Sequence, residues 1–395
     1  LTRIDPSPLL CLPGVQPVLA ALPGGRIVGG AVRDLLAART VRDVDVATPL
    51  TPEEVTAALQ RAGLRAIPTG LAHGTVTALA EGATIEVTTL RRDVETDGRH
   101  AVVAFTDDFR ADAARRDFTI NAMSLAPDGT VFDYFGGAAD LAAGRVRFVG
   151  SPGERIAEDY LRILRFFRFW SRYGASGPDT ATAQALTQAA PKLSTLSAER
   201  LWSETAKILS VADPRPVLRL METLGVLAVL LPEADPQWPE TFDRLMAARA
   251  PAGPLLRLAG LVVEPDRVAR RLKLSTAERD CLIALSEGEV PPLNADDAAL
   301  RRALADTPES LLTSRSFLRH EEGPAADALR ARLAAMPAPV FPIQGRDGVA
   351  IGLAAGPKLG EALREVRAWW LAGGCVATAE QCRAELARVA ARPAS

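Results

Sequence analysis

Arg26-Ile27-Val28-Gly29-Gly30-Ala31-Val32-Arg33-Asp34-Leu35-Leu36, followed closely by Arg42-Asp43-Val44-Asp45-Val46, decides how the chain begins to fold. The first stretch reads as a short apolar strand, a two-glycine turn and the start of a helix. Glycines let a backbone approach an anionic ligand, and the N–H groups at a helix start favour phosphate. A dinucleotide-binding turn would want three glycines and an acid about 20 residues further on; here the acids come sooner. A strand-turn-helix with no ligand fits the two glycines equally well. In the second stretch the period of two along a strand places Asp43 and Asp45 on one face while Val44 and Val46 point into the core. Two carboxylates held side by side repel unless cations lie between them, and magnesium takes one or two carboxylates together with phosphate oxygens. Two such ions can clamp the attacking and leaving oxygens of a phosphoryl transfer. An exposed edge strand with solvated acids is the other reading of the same pair.

Outward from this core the chain divides by character. Short β-branched runs at Arg26 to Val28, Val44 to Ala47, Ala83 to Thr89 and Val131 to Asp133 alternate with helical stretches up to about Val149. From Ser151 onward helical periodicity punctuated by proline takes over, with breaks near Pro191, Pro251 to Pro254, Pro291-Pro292 and Pro337 to Pro342. The expected fold class is α+β, an α/β head followed by all-α segments. At 395 residues the chain is long enough for two to four domains. No run approaches the roughly 18 apolar residues of a membrane span, so a cytoplasmic protein with no membrane partner is expected. The formal net charge of −2 argues against a protein that coats nucleic acid, although local patches can bind RNA. Three histidines, none paired at metal-ligand spacing, give histidine-based metal hydrolysis little to stand on. Four cysteines match no zinc or redox spacing and are expected to be free and buried.

Three further segments carry candidate chemistry. In Thr84-Ile85-Glu86-Val87-Thr88-Thr89, Glu86 lies on the face opposite Ile85 and Val87; it suits a third metal ligand, a proton acceptor or an acid on a wet strand face. Arg115-Arg116-Asp117 precedes an apolar stretch, and guanidinium forks suit triphosphate oxygens, as they also suit plain solvated surface. Glu158-Asp159-Tyr160-Leu161-Arg162-Ile163-Leu164-Arg165-Phe166-Phe167-Arg168-Phe169 reads as one amphipathic helix. Tyr160, Ile163, Leu164 and Phe167 form its core face, and Glu158, Asp159, Arg162 and Arg165 lie opposite. Those charges could simply pair along the helix. An Asp and an Arg held a turn apart can also copy the hydrogen-bonding edge of a base.

In this order, and with Thr69-Gly70-Leu71-Ala72-His73-Gly74-Thr75 and Phe132-Asp133-Tyr134-Phe135-Gly136-Gly137 between them, these segments closely resemble the class II tRNA nucleotidyltransferase and bacterial poly(A) polymerase family. The stretch from Leu64 to Leu79 is similar to the CCA-adding pattern. The resemblance implies a polymerase β-like nucleotidyltransferase head at 20–145, a neck that recognises the nucleotide base at 146–200, a helical body at 201–300 and a tRNA-binding tail at 301–395. It implies addition or repair of the 3′-terminal CCA of tRNA from CTP and ATP; a poly(A) polymerase of the same fold and a non-catalytic RNA-binding relative are the alternatives. Gly29, Gly30 and Arg33 would hold the triphosphate, Asp43 and Asp45 the magnesium ions (Mg2+), with Glu86 as a third carboxylate. Arg115 and Arg116 would contact the nucleotide, Asp159 and Arg162 would read its base, and Arg165 and Arg168 would assist. Arg91 through Asp112, with Asp97-Gly98-Arg99-His100 at its turn, resembles the family's flexible loop. The partners implied are the acceptor arm and 3′ end of tRNA. Gln344-Gly345-Arg346-Asp347 and Gly356-Pro357-Lys358-Leu359-Gly360 resemble the tail that contacts it, although Gly348 stands where the family more often has an apolar residue.

Overall fold

The computed structural model describes residues 2–70, 74–96 and 101–392. The phrase from Thr69 to Thr75 therefore falls partly, and Asp97 to His100 wholly, outside the described residues. The chain divides into two compact units, Leu1–Pro232 and Glu233–Ser395.

The first unit opens on an eight-stranded mixed sheet. Its strands are β1 (Thr2–Arg3), β2 (Arg26–Val28), β3 (Asp45–Thr48), β4 (Arg65–Gly70), β5 (Thr75–Ala80), β6 (Ala83–Thr89), β9 (Met123–Leu125) and β10 (Thr130–Asp133). They lie in the order β1-β10-β9-β2-β3-β6-β5-β4. Among the described strands only β3 and β6 run parallel, and their register sets Asp45 beside Glu86. A separate antiparallel pair, β7 (Arg91–Thr96) and β8 (Ala101–Phe105), stands where the resemblance placed the loop.

Alternation builds the sheet's two faces. Val44, Val46, Ile85, Val87, Val76 and Ala78 are buried in the main head core together with Ala31, Val32, Val55 and Leu59 from the helices Gly30–Leu36 and Pro52–Arg61. Because side chains alternate, the residues between them face the other way: Asp45 and Glu86 are both exposed there. β3 begins only at Asp45, so Asp43 lies in the extended segment just before the strand rather than within it. Sheet pairing starts at the Val28–Asp45 register, which leaves Asp43 without a strand partner.

After Val149 the first unit is helical, beginning with Pro152–Glu158 and Leu161–Tyr173. Phe118 is fully buried against Phe148, with ring centroids 4.8 Å apart, and against Phe169 at 5.2 Å. These rings fasten the segment after Asp117 to the helix Leu161–Tyr173. Such aromatic pairs add about 1 kcal/mol each beyond their buried area. The second unit is formed of helices from Trp238–Ala247 to Ala379–Ala390, with apolar clusters around Leu300 and Leu329 and around Val366, Trp370 and Leu386. No described helix is long and apolar enough to cross a membrane. All four cysteines are free, and Cys375 and Cys382 are buried as expected. Cys11 and Cys281 are instead exposed: the first ends the short helix Ser7–Leu10, and the second rides on the helix Thr276–Glu287, whose buried residues are Leu282 and Leu285.

Candidate functional site

A cavity of about 490 Å³ in the first unit is lined by Gly29, Gly30, Arg33, Asp45, Arg116, Asp117, Asn121, Asp159, Arg162, Arg165, Phe169 and Arg200. Four sequence segments expected to act together therefore meet at one place. Asp43, Glu86, Arg115 and Arg168 lie outside its lining.

The acidic wall comes from the sheet. Asp45 and Glu86 are neighbours across β3 and β6. The protein around Asp45 pushes its carboxyl above the ordinary aspartate range, the charge of Glu86 adds to that, Arg116 opposes it, and Asp43 adds again. Among the described residues none of the three carboxylates takes part in an ion pair or accepts a side-chain hydrogen bond, nor do three acidic, histidine or cysteine side chains close into a ready-made metal cage. An unpaired aspartate held above its ordinary range beside other carboxylates suits a place for a cation. Two or three carboxylates with room for substrate oxygens fit a hard divalent ion better than a closed protein cage does.

Opposite stand arginines that already have partners. Gly29 precedes the helix Gly30–Leu36 with φ 69° and ψ −123°, a conformation suited to glycine. A Cβ there would come within 2.8 Å of the Arg116 guanidinium, so the missing side chain lets that cation reach the turn. Arg33 is buried; its Nη1 donates to Asn121 Oδ1 at 2.6 Å, its Nε and Nη2 donate to Asp34, and its guanidinium lies 4.6 Å over the Tyr173 ring. Arg115 and Arg116 converge on Asp112, at 2.8 and 3.2 Å. Burial works to raise the Asp112 carboxyl, but Arg116 and Arg115 more than offset it and hold it below its usual range. Arg116 lines the cavity and Arg115 does not.

The base-reading segment differs from the continuous helix read in the sequence. The helix Pro152–Glu158 stops, Asp159 is extended at φ −156° and ψ 107°, and a new helix starts at Leu161. Asp159 Oδ1 accepts from the Leu161 backbone N–H at 3.1 Å, an Asx turn that leads into the second helix. Its Oδ2 accepts from Arg200 Nη2 at 2.8 Å. Arg162 Nη1 donates to the Glu158 carboxylate and to the Arg155 carbonyl, the latter at 2.9 Å. Asp159 and Arg162 still border the same cavity, brought there by the break rather than by helical spacing. Arg165 is held by the buried Asp117 through its Nε at 2.8 Å, and Asp117 also accepts from Asn121 Nδ2 at 3.0 Å. Arg168 pairs with Glu204 at 3.1 Å and lies over the ring of Phe169, which lines the cavity, while Arg168 itself does not.

Asp112, Asp117, Asn121 and Arg200 were not singled out as site residues from the sequence. Asp117 and Asn121 flank Phe118-Thr119-Ile120 immediately after the two arginines, and polar residues spaced four apart beside such a pair were the available signal. Arg200 had no local signal, since its partner lies 41 residues away.

The chain is similar to known proteins over most of its length. Residues 25–147 match the family model described as the poly A polymerase head domain, and 178–237 match a model described as a probable RNA and SrmB-binding site of polymerase A. The chain is 38% identical over 365 residues to mouse CCA tRNA nucleotidyltransferase 1, mitochondrial, covering 88% of this chain and 83% of the relative. It is 35% identical over 362 residues to the CCA-adding enzyme of Geobacillus stearothermophilus, covering 85% and 86%. The crystal structure of the Bacillus stearothermophilus CCA-adding enzyme in complex with CTP superposes with a TM-score of 0.78 at 30% identity, over 94% of this chain and 96% of that one.

Proposed function

The chain belongs to the CCA-adding tRNA nucleotidyltransferase family, and from that premise we propose how its own residues carry the reaction. The enzyme adds or repairs the 3′-terminal CCA of tRNA with CTP and ATP, releasing pyrophosphate. The 3′ hydroxyl oxygen attacks the α-phosphorus as the bond to pyrophosphate breaks. The reaction uses a divalent metal, for which we assign magnesium, and when bound it neutralises charge on the attacking and leaving oxygens. Asp43 and Asp45 would hold it, with Glu86 as the adjoining carboxylate. Gly29, Gly30, Arg33 and Arg116 would take the triphosphate. Arg33 reaches it pre-oriented by Asp34 and Asn121, so little side-chain freedom is lost on binding.

Asp159 and Arg162 would read the base. A carboxylate accepts from an exocyclic amine, which cytosine and adenine carry and uracil lacks, while arginine donates to a ring nitrogen or carbonyl. Arg165 borders the same cavity from its seat on Asp117. Arg115 and Arg168, turned toward Asp112 and Glu204, would act by supporting their neighbours. The head, neck, body and tail boundaries at 20–145, 146–200, 201–300 and 301–395 belong to the same reading, as do a tail that grips tRNA and a cytoplasmic site of action; the mouse relative is named mitochondrial, so cell fractionation is the measurement for the last.

The observation that carries the assignment is the single cavity bordered by Asp45 on one side and by Arg33, Arg116, Asp159 and Arg162 on the other. Purified protein incubated with tRNA ending at the discriminator base is expected to add two C with CTP alone and one further A when ATP is present. Unlimited extension by ATP alone would identify a poly(A) polymerase instead.

A further inference from the structure

Arg155 lies outside the cavity, yet it bonds to three different segments around it. Its Nη1 donates to both Glu158 oxygens at 2.7 Å. Its Nε donates to the Val149 carbonyl at 3.0 Å, and its Nη2 donates to the Ala114 carbonyl. The side chain is 13% exposed. Ala114 is the last residue of the helix Phe109–Ala114, directly before Arg115 and Arg116. Val149 lies just beyond the Phe118–Phe148 bridge. Glu158 in turn holds Arg162, whose Nη1 also donates to the backbone carbonyl of Arg155 itself. One guanidinium therefore ties two carbonyls at the edge of the head to the carboxylate that aims Arg162.

We infer that Arg155 is a positioning residue for nucleotide choice: it sets the place of Arg162 through Glu158 and references that place to the backbone that delivers Arg116. This rests on Arg162 reading the base. The physical case is geometric. A planar guanidinium offers five N–H groups in a fixed fork, so it can hold two carbonyls and a carboxylate at once. A lysine at the same position keeps the charge and can reach Glu158, but its single ammonium cannot also satisfy both carbonyls in that fork. Glu158 would then follow the lysine rather than the head. Arg162 would lose its register with the triphosphate-holding residues while every residue bordering the cavity remained present.

The arrangement predicts that Arg155→Lys lowers the preference for CTP over UTP, measured as the ratio of kcat/KM values, by about tenfold, the scale of one good base-reading hydrogen-bond pair. Glu158→Gln, which weakens the same link from the other side, should give a similar loss. The double variant should lose little more than either alone, since both changes cut one connection. Arg162→Ala is measured in parallel with CTP and UTP. If Arg162→Ala shifts preference while Arg155→Lys leaves it untouched and only lowers Tm, Arg155 is a structural clamp and the inference fails. Losses that multiply in the double variant would also overturn it, because Arg155 and Glu158 would then act separately. If Arg162→Ala itself leaves preference unchanged, the base-reading assignment fails first and this inference falls with it. Tm measured for every variant keeps a loss of fold from passing as a loss of choice.

Discussion

The two walls of the cavity are built on opposite electrostatic plans. On the sheet side Asp45 lines the cavity, with Glu86 beside it on β6 and Asp43 just before the strand; among the described residues none of the three takes part in an ion pair, and Asp45 is held less acidic than an ordinary aspartate. On the helical side each arginine is already engaged: Arg33 with Asp34, Arg116 with Asp112, Arg162 with Glu158 and Arg165 with Asp117. Unpaired like charges cost folding free energy and are relieved by a cation. Paired arginines keep spare N–H donors in fixed directions, which suits an anionic and hydrogen-bonding ligand. On the proposed reading the acids would be relieved only by a bound cation, whereas the arginines are held in place before any nucleotide arrives.

The most direct way to break this contrast is at the acid wall. Asp45→Ala, or Asp43→Ala, is expected to lower nucleotide transfer by about 10²- to 10³-fold, as removal of a central electrostatic stabiliser does, while the protein stays folded by circular dichroism. Near-normal turnover in magnesium by either variant would remove the metal assignment. A second test addresses the segment between the walls. The β7–β8 pair runs out of the strand that carries Glu86 and leads, by way of the helix Phe109–Ala114, to Arg115 and Arg116. Deleting residues 94–103 should leave addition of both C residues largely intact and slow the final A strongly, so that tRNA ending in CC accumulates on a gel with both nucleotides present. An equal fall of the two steps would make the segment a general structural element.

Replacing one acid on each side sharpens the comparison through stability. Asp117→Asn removes the charge from a buried pair and should cost about 3 kcal/mol of unfolding free energy, read as a lower midpoint in denaturant. Asp45→Asn, measured with chelator present, should leave that midpoint unchanged or raise it, because it removes repulsion from Glu86 and Asp43. Arg162→Ala should reduce discrimination for CTP over UTP by about tenfold with a smaller effect on triphosphate affinity; unchanged preference with only a lower Tm would make the Glu158–Arg162 pair structural.

The smallest effect is on pH dependence, and its sign differs between the walls. Burial tends to raise the Asp117 carboxyl, but Arg165 and the hydrogen bonds from Asn121 and the Phe118 backbone outweigh it and hold it below the ordinary aspartate range. The stability it contributes is therefore present above about pH 4, the unfolded aspartate value, and lost as pH falls through its lower folded-state value. The carboxyl of Asp45 is shifted the other way, so its ionised form destabilises the fold above its raised value and that penalty disappears as pH falls. Going from about pH 7 to about pH 3 in chelator, across the aspartate range, the Tm gap between wild type and Asp117→Asn should narrow from the wild-type side, while any excess stability of Asp45→Asn should vanish. Parallel pH profiles for the two variants would contradict the contrast between the walls.

Local physics was sufficient for much of this protein. The period of two that buries Val44, Val46, Ile85 and Val87 also exposes Asp45 and Glu86, because side-chain direction in a strand follows from position alone. The two glycines before Ala31, the paired arginines and the apolar face containing Ile163, Leu164 and Phe167 could likewise be read along the chain. What only the tertiary structure decided is which charge meets which. Arg33 meets Asn121 across 88 residues, Arg165 meets Asp117 across 48 and Arg200 meets Asp159 across 41. Such pairs form when distant segments are packed together, and no periodicity encodes them. The break at Asp159 has the same origin in competing hydrogen bonds. Helical spacing predicts one continuous helix, but the Asp159 carboxylate accepts from the Leu161 N–H and from Arg200 instead. A short polar side chain can thus outcompete the helical backbone when a distant arginine arrives to complete its partners.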